Sequence, residues 1–215
     1  YLRDAYKTPD FRLWPKYNTY KSKEIEQMCR PGTADYPHIS IYYFIQFHLH
    51  LQLLEATNYA RANGVVLKGD IPIGISRNSC DAWVSPEMYN MCWQAGAPPD
   101  DFTAVGQNWG FPTYNWKKMQ EDGFAWWKQR FEQMSNYFDA FRIDHILGFF
   151  RIWSIPANAV QGIMGRFVPC IPVHINEFGE NGIWFDYKRY CRPFITDEVL
   201  QEILGDKAEH VKEKF

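Results

Sequence analysis

The chain has 215 residues, in which 23 Lys and Arg nearly balance 25 Asp and Glu, for a formal net charge of −2. This balance gives no reason to expect nucleic acid or an anionic membrane as a partner, and no apolar run approaches the roughly 20 residues of a membrane span. The first residue is not Met and no signal peptide follows it, so we expect a piece of a longer protein. The five cysteines form no CxxC pair, which favours reduced thiols in a cytoplasmic protein over a disulfide framework or a zinc site.

A long amphipathic helix is the first element that the pattern predicts, over about residues 41–63. Ser40 is suited to cap its start and Gly64 to end it. Apolar residues recur in it at helical spacing, namely Phe44, Phe47, Leu51 and Leu54. His48 and His50 lie two residues apart and therefore point in different directions on a helix. We expect them to be surface or packing residues, and no metal site is predicted.

A βαβ unit is predicted to follow this helix. Residues 65–67 are apolar and predict a buried strand that ends in residues 68–70. Residues 71–116 are rich in Gly, Pro, Asn and Trp, and predict a long loop of the kind that is usually functional in a compact domain. Apolar residues then predict a helix over residues 124–138 that leads into a strand over residues 140–144. This order indicates a parallel sheet and an α/β fold.

The second predicted strand ends in an Arg and an Asp that are candidates for chemistry. Residues two apart on a strand point the same way, so Arg142 and Asp144 share a face while Ile143 packs on the other. A neighbouring Arg favours the ionised form of Asp. An ionised, oriented carboxylate at a strand end can attack the anomeric carbon of a sugar and form a covalent glycosyl intermediate. The alternative is a structural Arg–Asp pair.

The first predicted strand also ends in a carboxylate, that of Asp70. Two carboxylates at the same rim of a sheet could serve as an acid/base pair. However, Asp70 is followed by Ile-Pro-Ile-Gly, which forms a rigid turn. This context favours a buried Asp70 that accepts backbone hydrogen bonds and supports the turn.

The long loop combines residue types that suit a sugar ligand. The chain is 18% aromatic and contains nine Trp. In the loop, Gly and Pro shape the backbone, amides both donate and accept hydrogen bonds, and indole and phenol rings offer stacking faces. This inventory suits a polyhydroxylated, uncharged ligand. A rigid loop that packs on itself would use the same residues.

Four blocks of sequence, taken in order, carry a resemblance to a known family. They are 68–74 (KGDIPIG), 96–100 (GAPPD), 106–110 (GQNWG) and 141–145 (FRIDH). From about residue 44 to residue 156 the chain resembles the 4-α-glucanotransferases called amylomaltases or disproportionating enzymes, members of the α-amylase clan. The resemblance implies part of a (β/α)8 TIM barrel with its site at the carboxyl ends of the strands. It also implies α-1,4-glucans, maltose and acceptor glycans as partners, and chemistry that needs no cofactor.

The resemblance also implies roles for individual residues. It makes Asp144 the nucleophile and Arg142 the residue that hydrogen-bonds and orients it. Residues in the neighbouring blocks are implied to bind substrate, namely Asp70, Trp83, Asp100, Asn108, Trp109 and His145. The implied reaction breaks an α-1,4 bond with retention and passes the glucosyl unit to a sugar hydroxyl. The alternatives are an α-glucan hydrolase, which shares the glycosyl-enzyme intermediate, and a noncatalytic carbohydrate-binding unit.

Two departures from the family pattern refine this interpretation. Where bacterial amylomaltases have an acidic residue before the Ser of the loop, this chain has Arg77-Asn78-Ser79, which resembles the plant-cytosolic type, and we expect Asn78 to contact the donor sugar. The family's acid/base Glu block and its third catalytic Asp are not found in the 215 residues, so we expect this piece to be inactive alone. Residues 1–168 are assigned to the catalytic barrel, and residues 169–215 to the start of an insertion or an irregular, helical extension.

Overall fold

A computed structural model of the chain describes residues 1–170, 172–192 and 195–213. The chain divides into two compact units, Tyr1–Cys170 and Ile171–Phe215. The first unit contains every residue that the sequence predicts for the active site. Within the segment predicted as an insertion or extension, positions 171, 193, 194, 214 and 215 lie outside the described residues.

The first unit contains both helices and strands. Its helices are α1 (Leu2–Tyr6), α2 (Ser22–Met28), α3 (Tyr36–Ala62), α4 (Cys80–Val84), α5 (Trp116–Glu121) and α6 (Ala125–Ser135). Its strands are β1 (Lys68–Ile71), β2 (Tyr89–Asn90), β3 (Trp93–Ala97), β4 (Gln107–Asn108), β5 (Thr113–Tyr114), β6 (Ala140–Ile143), β7 (Ile152–Pro156) and β8 (Arg166–Val168). Short 3-10 helices lie at Phe11–Leu13, Pro86–Met88, Ile146–Phe149 and Gly162–Met164.

The described residues of the second unit are mainly helical. They form α7 (Ile175–Glu180), α8 (Tyr187–Cys191), α9 (Asp197–Leu204) and α10 (Ala208–Lys212), with a 3-10 turn at Gly205–Lys207. The first of these helices begins with a capping box, in which the His174 and Glu177 side chains each accept a backbone N–H.

The predicted parallel sheet is confirmed. β1 pairs with β6 in parallel, with Asp70 opposite Arg142 and Ile71 opposite Ile143. The start of the first strand was predicted too early, because Val65 and Val66 are 51% and 72% exposed and precede β1. The helix predicted over residues 124–138 is shorter than expected and corresponds to α6. Phe124 precedes it at the N-cap position, where it adopts a left-handed φ of 62°.

The first long helix starts earlier than the sequence predicted. α3 has Asp35 at its N-cap position and a Pro in its first turn, where the missing N–H costs nothing and the fixed φ suits a helix. Ser40 is therefore not the cap, and its hydroxyl instead donates to the Pro37 carbonyl at 3.1 Å. Gly64, with a left-handed φ of 72°, follows the end of the helix as predicted.

His48 and His50 of α3 make packing contacts, in line with the prediction. His50 Nδ1 lies 2.7 Å from the Tyr137 hydroxyl. His48 packs on Phe44 with ring centroids 4.2 Å apart.

Residues 71–116 are not the single loop that the sequence predicted. They contain α4 and four short strands, and β3 joins a four-stranded antiparallel sheet in the order β4-β3-β7-β8. Three of the four strands are two residues long, which is too short for an alternating pattern to show. The longest of the four, β3, pairs with β7, which lies some 60 residues further along the chain, in the register Gln94–Ile155.

One core cluster joins the parallel pair to the antiparallel sheet and so positions the site. Its buried members are Ile71, Ile73, Tyr89, Ala95, Tyr114, Met119, Trp127 and Ile152. The Tyr114 hydroxyl also accepts a hydrogen bond from the Gly74 N–H at 2.8 Å. The segment after β1 is therefore held against β5.

Candidate active site

A groove opens at the carboxyl end of the β1–β6 pair. It consists of two adjoining cavities of about 640 and 560 Å³. Both are lined by the same four residues, Pro72, Ile73, Trp109 and Phe111. The first cavity extends to Asn78, and the second extends to Asp144 and His145. We call this feature the Trp109 groove, and it brings together four residues that the sequence predicted separately.

Asp144 follows β6 directly and presents an exposed carboxylate to the Trp109 groove. Its backbone N–H donates to the Ile71 carbonyl at 3.1 Å, so the hydrogen-bond ladder of the strand pair extends to this residue. The position of the backbone is thus fixed while the side chain stays accessible. This is the arrangement that a nucleophile at a strand end requires.

His145 has an unusual backbone conformation beside Asp144. Its φ is 50°, in the left-handed region that a non-glycine residue seldom adopts, and such strain is concentrated at functional sites. Its ring stands edge-on to Trp109. Gly148 permits this position, because a Cβ there would lie 2.7 Å from the His145 ring and 2.3 Å from Ile73.

The aromatic wall of the groove is held by packing and by one glycine. Trp109 stacks on Phe111 with ring centroids 5.8 Å apart, and its Nε1–H donates to Gln107 Oε1 at 2.9 Å. Gly74 has a φ of 129°, and a Cβ there would lie 2.3 Å from the Phe111 ring. Only glycine allows both the backbone conformation and this close approach.

Arg142 pairs with Asp70, and not with Asp144 as the sequence predicted. Its Nε donates to Asp70 Oδ1 at 2.6 Å, and its Nη2 donates to Asp70 Oδ2. The two residues are in-register neighbours on adjacent strands, so their side chains leave the sheet on the same side. Asp144 lies beyond the last residue of β6, where the chain turns into a 3-10 helix.

Two further expectations about these strand ends are wrong. Asp70 is not a buried support, because 55% of its side chain is exposed. The hydrogen bond from Arg142 holds the pKa of Asp70 below its ordinary value, so this carboxylate is ionised at neutral pH. Ile143, predicted to pack on the opposite face, is 39% exposed.

Asp70 and three further residues predicted to bind substrate, namely Asn108, Asp100 and Trp83, line neither cavity of the groove. Asn108 donates to the Ala159 and Val160 carbonyls at 3.0 and 3.1 Å, and Asp100 accepts the Thr103 N–H at 2.8 Å in a turn. Trp83 donates to the Tyr17 carbonyl at 2.8 Å within a second core cluster. In this structure the hydrogen bonds of Asn108, Asp100 and Trp83 go to backbone atoms and so hold the conformation of the segments around them.

Arg77 has a structural role that the sequence did not show. Its guanidinium donates to the Met91 carbonyl and, at 2.8 Å, to the Trp93 carbonyl, which ties the segment carrying Asn78 to β3. Burial lowers the pKa of Arg77 below its ordinary value. The signal in the sequence that could have indicated this role is a single cationic side chain, Arg77, in an otherwise uncharged stretch of the loop.

The described part of the chain has properties that bear on metal binding, disulfides and membranes. Its residues include no group of three or more His, Cys, Asp or Glu that could hold a metal ion. All five cysteines are free. None of the helices in the described ranges combines the length and the apolar composition that crossing a membrane requires.

An exposed carboxylate at a strand end, beside an aromatic groove, defines a site suited to glycosyl chemistry. The comparisons agree, since the profile of a glycoside hydrolase family described as 4-alpha-glucanotransferase matches residues 1–196. The chain therefore belongs to the 4-alpha-glucanotransferase family, which confirms the resemblance seen in the sequence.

Individual relatives are similar over most of this chain. The rice 4-alpha-glucanotransferase DPE2 is 46% identical over 205 residues, covering 95% of this chain and 22% of the rice protein. The Chlamydia pneumoniae 4-alpha-glucanotransferase is 37% identical over 161 residues, covering 74% of this chain and 29% of that protein. A solved amylomaltase from Streptococcus agalactiae, in complex with acarbose, superposes with a TM-score of 0.63 at 26% identity, over 95% of this chain and 38% of that structure. The chain thus spans about a quarter of the length of these two curated relatives.

Proposed function

We propose that the full-length protein is a retaining 4-alpha-glucanotransferase, which moves glucosyl or glucan units from maltose or another α-1,4-glucan to an acceptor sugar. The observation that carries the proposal is that Asp144 lies at the end of the parallel strand pair and lines the same groove as Trp109. Family membership supports it. The chemistry itself needs no cofactor, because nucleophile and proton donor are both side chains.

In the proposed reaction, the Asp144 carboxylate attacks the anomeric carbon while the glycosidic C–O bond breaks. The leaving oxygen takes a proton from an acid that lies outside residues 1–215. A hydroxyl of the acceptor then attacks the glycosyl ester, loses its proton to that same group and restores Asp144. Two displacements retain the α configuration.

The walls of the Trp109 groove account for the proposed preference for sugar acceptors over water. Trp109 and Phe111 offer flat apolar faces on which a glucose ring can stack. His145 and Asn78 add hydrogen-bonding groups at the two ends of the groove. A stacked acceptor excludes water from the glycosyl-enzyme, which favours transfer over hydrolysis.

We also propose that β1 and β6 are two strands of a (β/α)8 barrel, with residues 1–168 in the catalytic barrel and residues 169–215 in an insertion or extension. Parallel strands are normally buried on both faces, yet the apolar side chain of Ile143 is exposed here. Helix α3 likewise exposes apolar side chains, namely Ile41, Tyr43, Phe44, Phe47, Leu49, Leu51 and Leu53. Further strands and helices of a barrel would cover these surfaces. The free cysteines support a cytoplasmic location.

The test is product analysis of the full-length protein with maltose and an isotope-labelled glucan acceptor. Transfer predicts free glucose together with labelled products that are one or more glucosyl units longer. A hydrolase would release glucose from both halves of maltose and leave the acceptor unchanged. A noncatalytic binding unit would bind the glucan without any turnover, and either result would contradict the proposal.

A further inference from the structure

The Arg142–Asp70 pair has a geometry that fixes the orientation of the guanidinium. Two parallel hydrogen bonds, from Nε and Nη2, reach the two oxygens of one carboxylate. Such fork-to-fork pairing defines the plane and the direction of an Arg side chain, which a single contact does not. Both residues stand at matching positions on adjacent strands, so the pair is attached to a rigid base.

The pair leaves part of the guanidinium available. Arg carries five N–H donors in a fixed fork, and the described hydrogen bonds to Asp70 use only Nε and Nη2. Nη1 is on the opposite edge of the fork from the bonded side. Fixing one edge of the fork therefore also fixes where the other edge points.

Asp144 lies within electrostatic reach of this guanidinium. The hydrogen bond that Arg142 donates to Asp70 raises the pKa of Arg142, and the negative charge of Asp144 adds to the same shift. Asp144 is also bound to the first strand, through its N–H and the Ile71 carbonyl. Asp70, Arg142 and Asp144 thus share one hydrogen-bonded framework.

We propose that Asp70 is a positioning residue, which holds the Arg142 guanidinium in the orientation from which it acts on the Asp144 carboxylate and its glycosyl ester. This inference rests on the proposed function. It differs from a role of Asp70 in binding the sugar, and from a role in supporting the turn that follows β1. Asp70 and Arg142 are more than half exposed, and ion pairs of this kind contribute little to stability. The pair therefore sets the orientation of the Arg142 guanidinium and adds little to the stability of the fold.

The same strand pair offers a matched control at its other end. Asp139 precedes β6, accepts the Leu67 N–H at 3.0 Å and forms an ion pair with Arg61 at 2.7 Å. Like Asp70, Asp139 is a carboxylate next to the β1–β6 pair that forms an ion pair with an Arg side chain. It lies at the amino end of β6, away from the Trp109 groove. Asp139→Asn removes a comparable ion pair without touching the site.

The experiment measures kcat and KM for maltose, together with Tm, in the full-length enzyme. Asp70→Asn is expected to lower kcat about 10- to 100-fold, the effect of a small misplacement of a catalytic group, with KM and Tm little changed. Asp70→Glu, which keeps the carboxylate, should recover part of kcat. Asp139→Asn should leave kcat at the wild-type value.

A double-mutant cycle with Arg142→Lys tests whether Asp70 acts through Arg142. Lys cannot form the two-pronged contact, so adding Asp70→Asn to Arg142→Lys should lower kcat by no more than about twofold, since coupled residues are not additive. If Asp70→Asn fails to fold, the same cycle is run with Asp70→Glu.

Three results would overturn the inference alone while leaving the proposed function intact. They are a raised KM with unchanged kcat for Asp70→Asn, effects that multiply fully in the cycle, and a kcat for Asp70→Asn equal to that of Asp139→Asn. A wild-type enzyme that transfers no glucosyl units would instead defeat the proposed function, and the inference with it.

Discussion

The imidazole ring of His145 stands edge-on to the indole ring of Trp109, with ring centroids 5.0 Å apart and planes at 85°. This contact joins the end of β6 to the segment between β4 and β5. It places an aromatic wall next to Asp144, within a cavity that all three residues line. The contact depends on the left-handed backbone of His145 and on the lack of a side chain at Gly148.

Trp109 and Trp83 should respond differently to truncation, although the sequence assigned both to the cleft. Trp109→Ala removes the stacking face of the groove and should raise KM for maltose about 5- to 10-fold, equivalent to ~1–1.5 kcal/mol, with little loss of stability. Trp83→Ala removes a core contact with Trp14 and should lower the free energy of unfolding by up to about 3 kcal/mol with KM unchanged. Steady-state kinetics and urea unfolding of both variants separate these outcomes. Equal effects on KM would contradict the assignment.

Gly148→Ala should disturb the site through steric contact alone, because the φ of Gly148 lies outside the left-handed region that favours glycine. The added Cβ would meet Ile73 and the His145 ring, and overpacking of this kind costs about 1–3 kcal/mol. We expect a lower free energy of unfolding and a raised KM, because His145 is displaced from Trp109. Gly179→Ala is the control, since a Cβ there meets nothing within 4 Å in helix α7. It should hold or increase stability, and a wild-type KM for Gly148→Ala would show that His145 keeps its place.

Asp144→Asn in the full-length protein should abolish turnover while sparing the fold. Asn has the same shape but cannot form the glycosyl ester, so the rate should fall by several orders of magnitude. Circular dichroism and glucose release from maltose measure the two effects, with Asp139→Asn as the control. Retention of more than about a tenth of the wild-type rate, a change of under ~1.4 kcal/mol in the barrier, would remove Asp144 from this role.

Asn78→Asp should weaken the use of maltose more than the use of longer glucans. Asn78 lies at the far end of the Trp109 groove from Asp144. An amide both donates to and accepts from sugar hydroxyls, whereas a carboxylate only accepts. A short donor has fewer other contacts, so the mismatch should cost it about 1–3 kcal/mol in kcat/KM. Asn136→Asp, at the end of α6, is the control. An equal fall for maltose and maltoheptaose would leave Asn78 with a role in shaping the loop only.

The isolated chain of residues 1–215 should not disproportionate maltose. Retaining chemistry needs a proton donor across the bond from the nucleophile, and the sequence offers no convincing one. Glu177 is already committed to a capping box, where its side chain accepts the His174 N–H at 2.8 Å. Incubating the purified chain with maltose and measuring glucose is the test. Glucose release that disappears in Asp144→Asn would reveal a carboxylate that was overlooked.

Short, local patterns determined much of this protein. The helix before β1, the parallel pairing of β1 with β6 and the location of Asp144 at a strand end could all be predicted from the sequence. The helix and the two strands depend on residues close together in the chain, where helical spacing, apolar runs and glycine stops act directly. The parallel pairing follows from the order of these elements. The four sequence blocks also identified the family, because together they are far more specific than any one of them alone.

Only the tertiary structure decided which side chains meet. Sequence spacing paired Arg142 with Asp144, two residues away, but strand register placed Asp70 opposite it, 72 residues away. The same holds for β3, whose partner β7 lies some 60 residues away, and for Trp83 and Asn108, which donate hydrogen bonds to backbone carbonyls of distant segments. Periodicity along a chain determines the face on which a side chain emerges. The partner it finds there depends on the register between strands, which is set by the packing of the whole sheet.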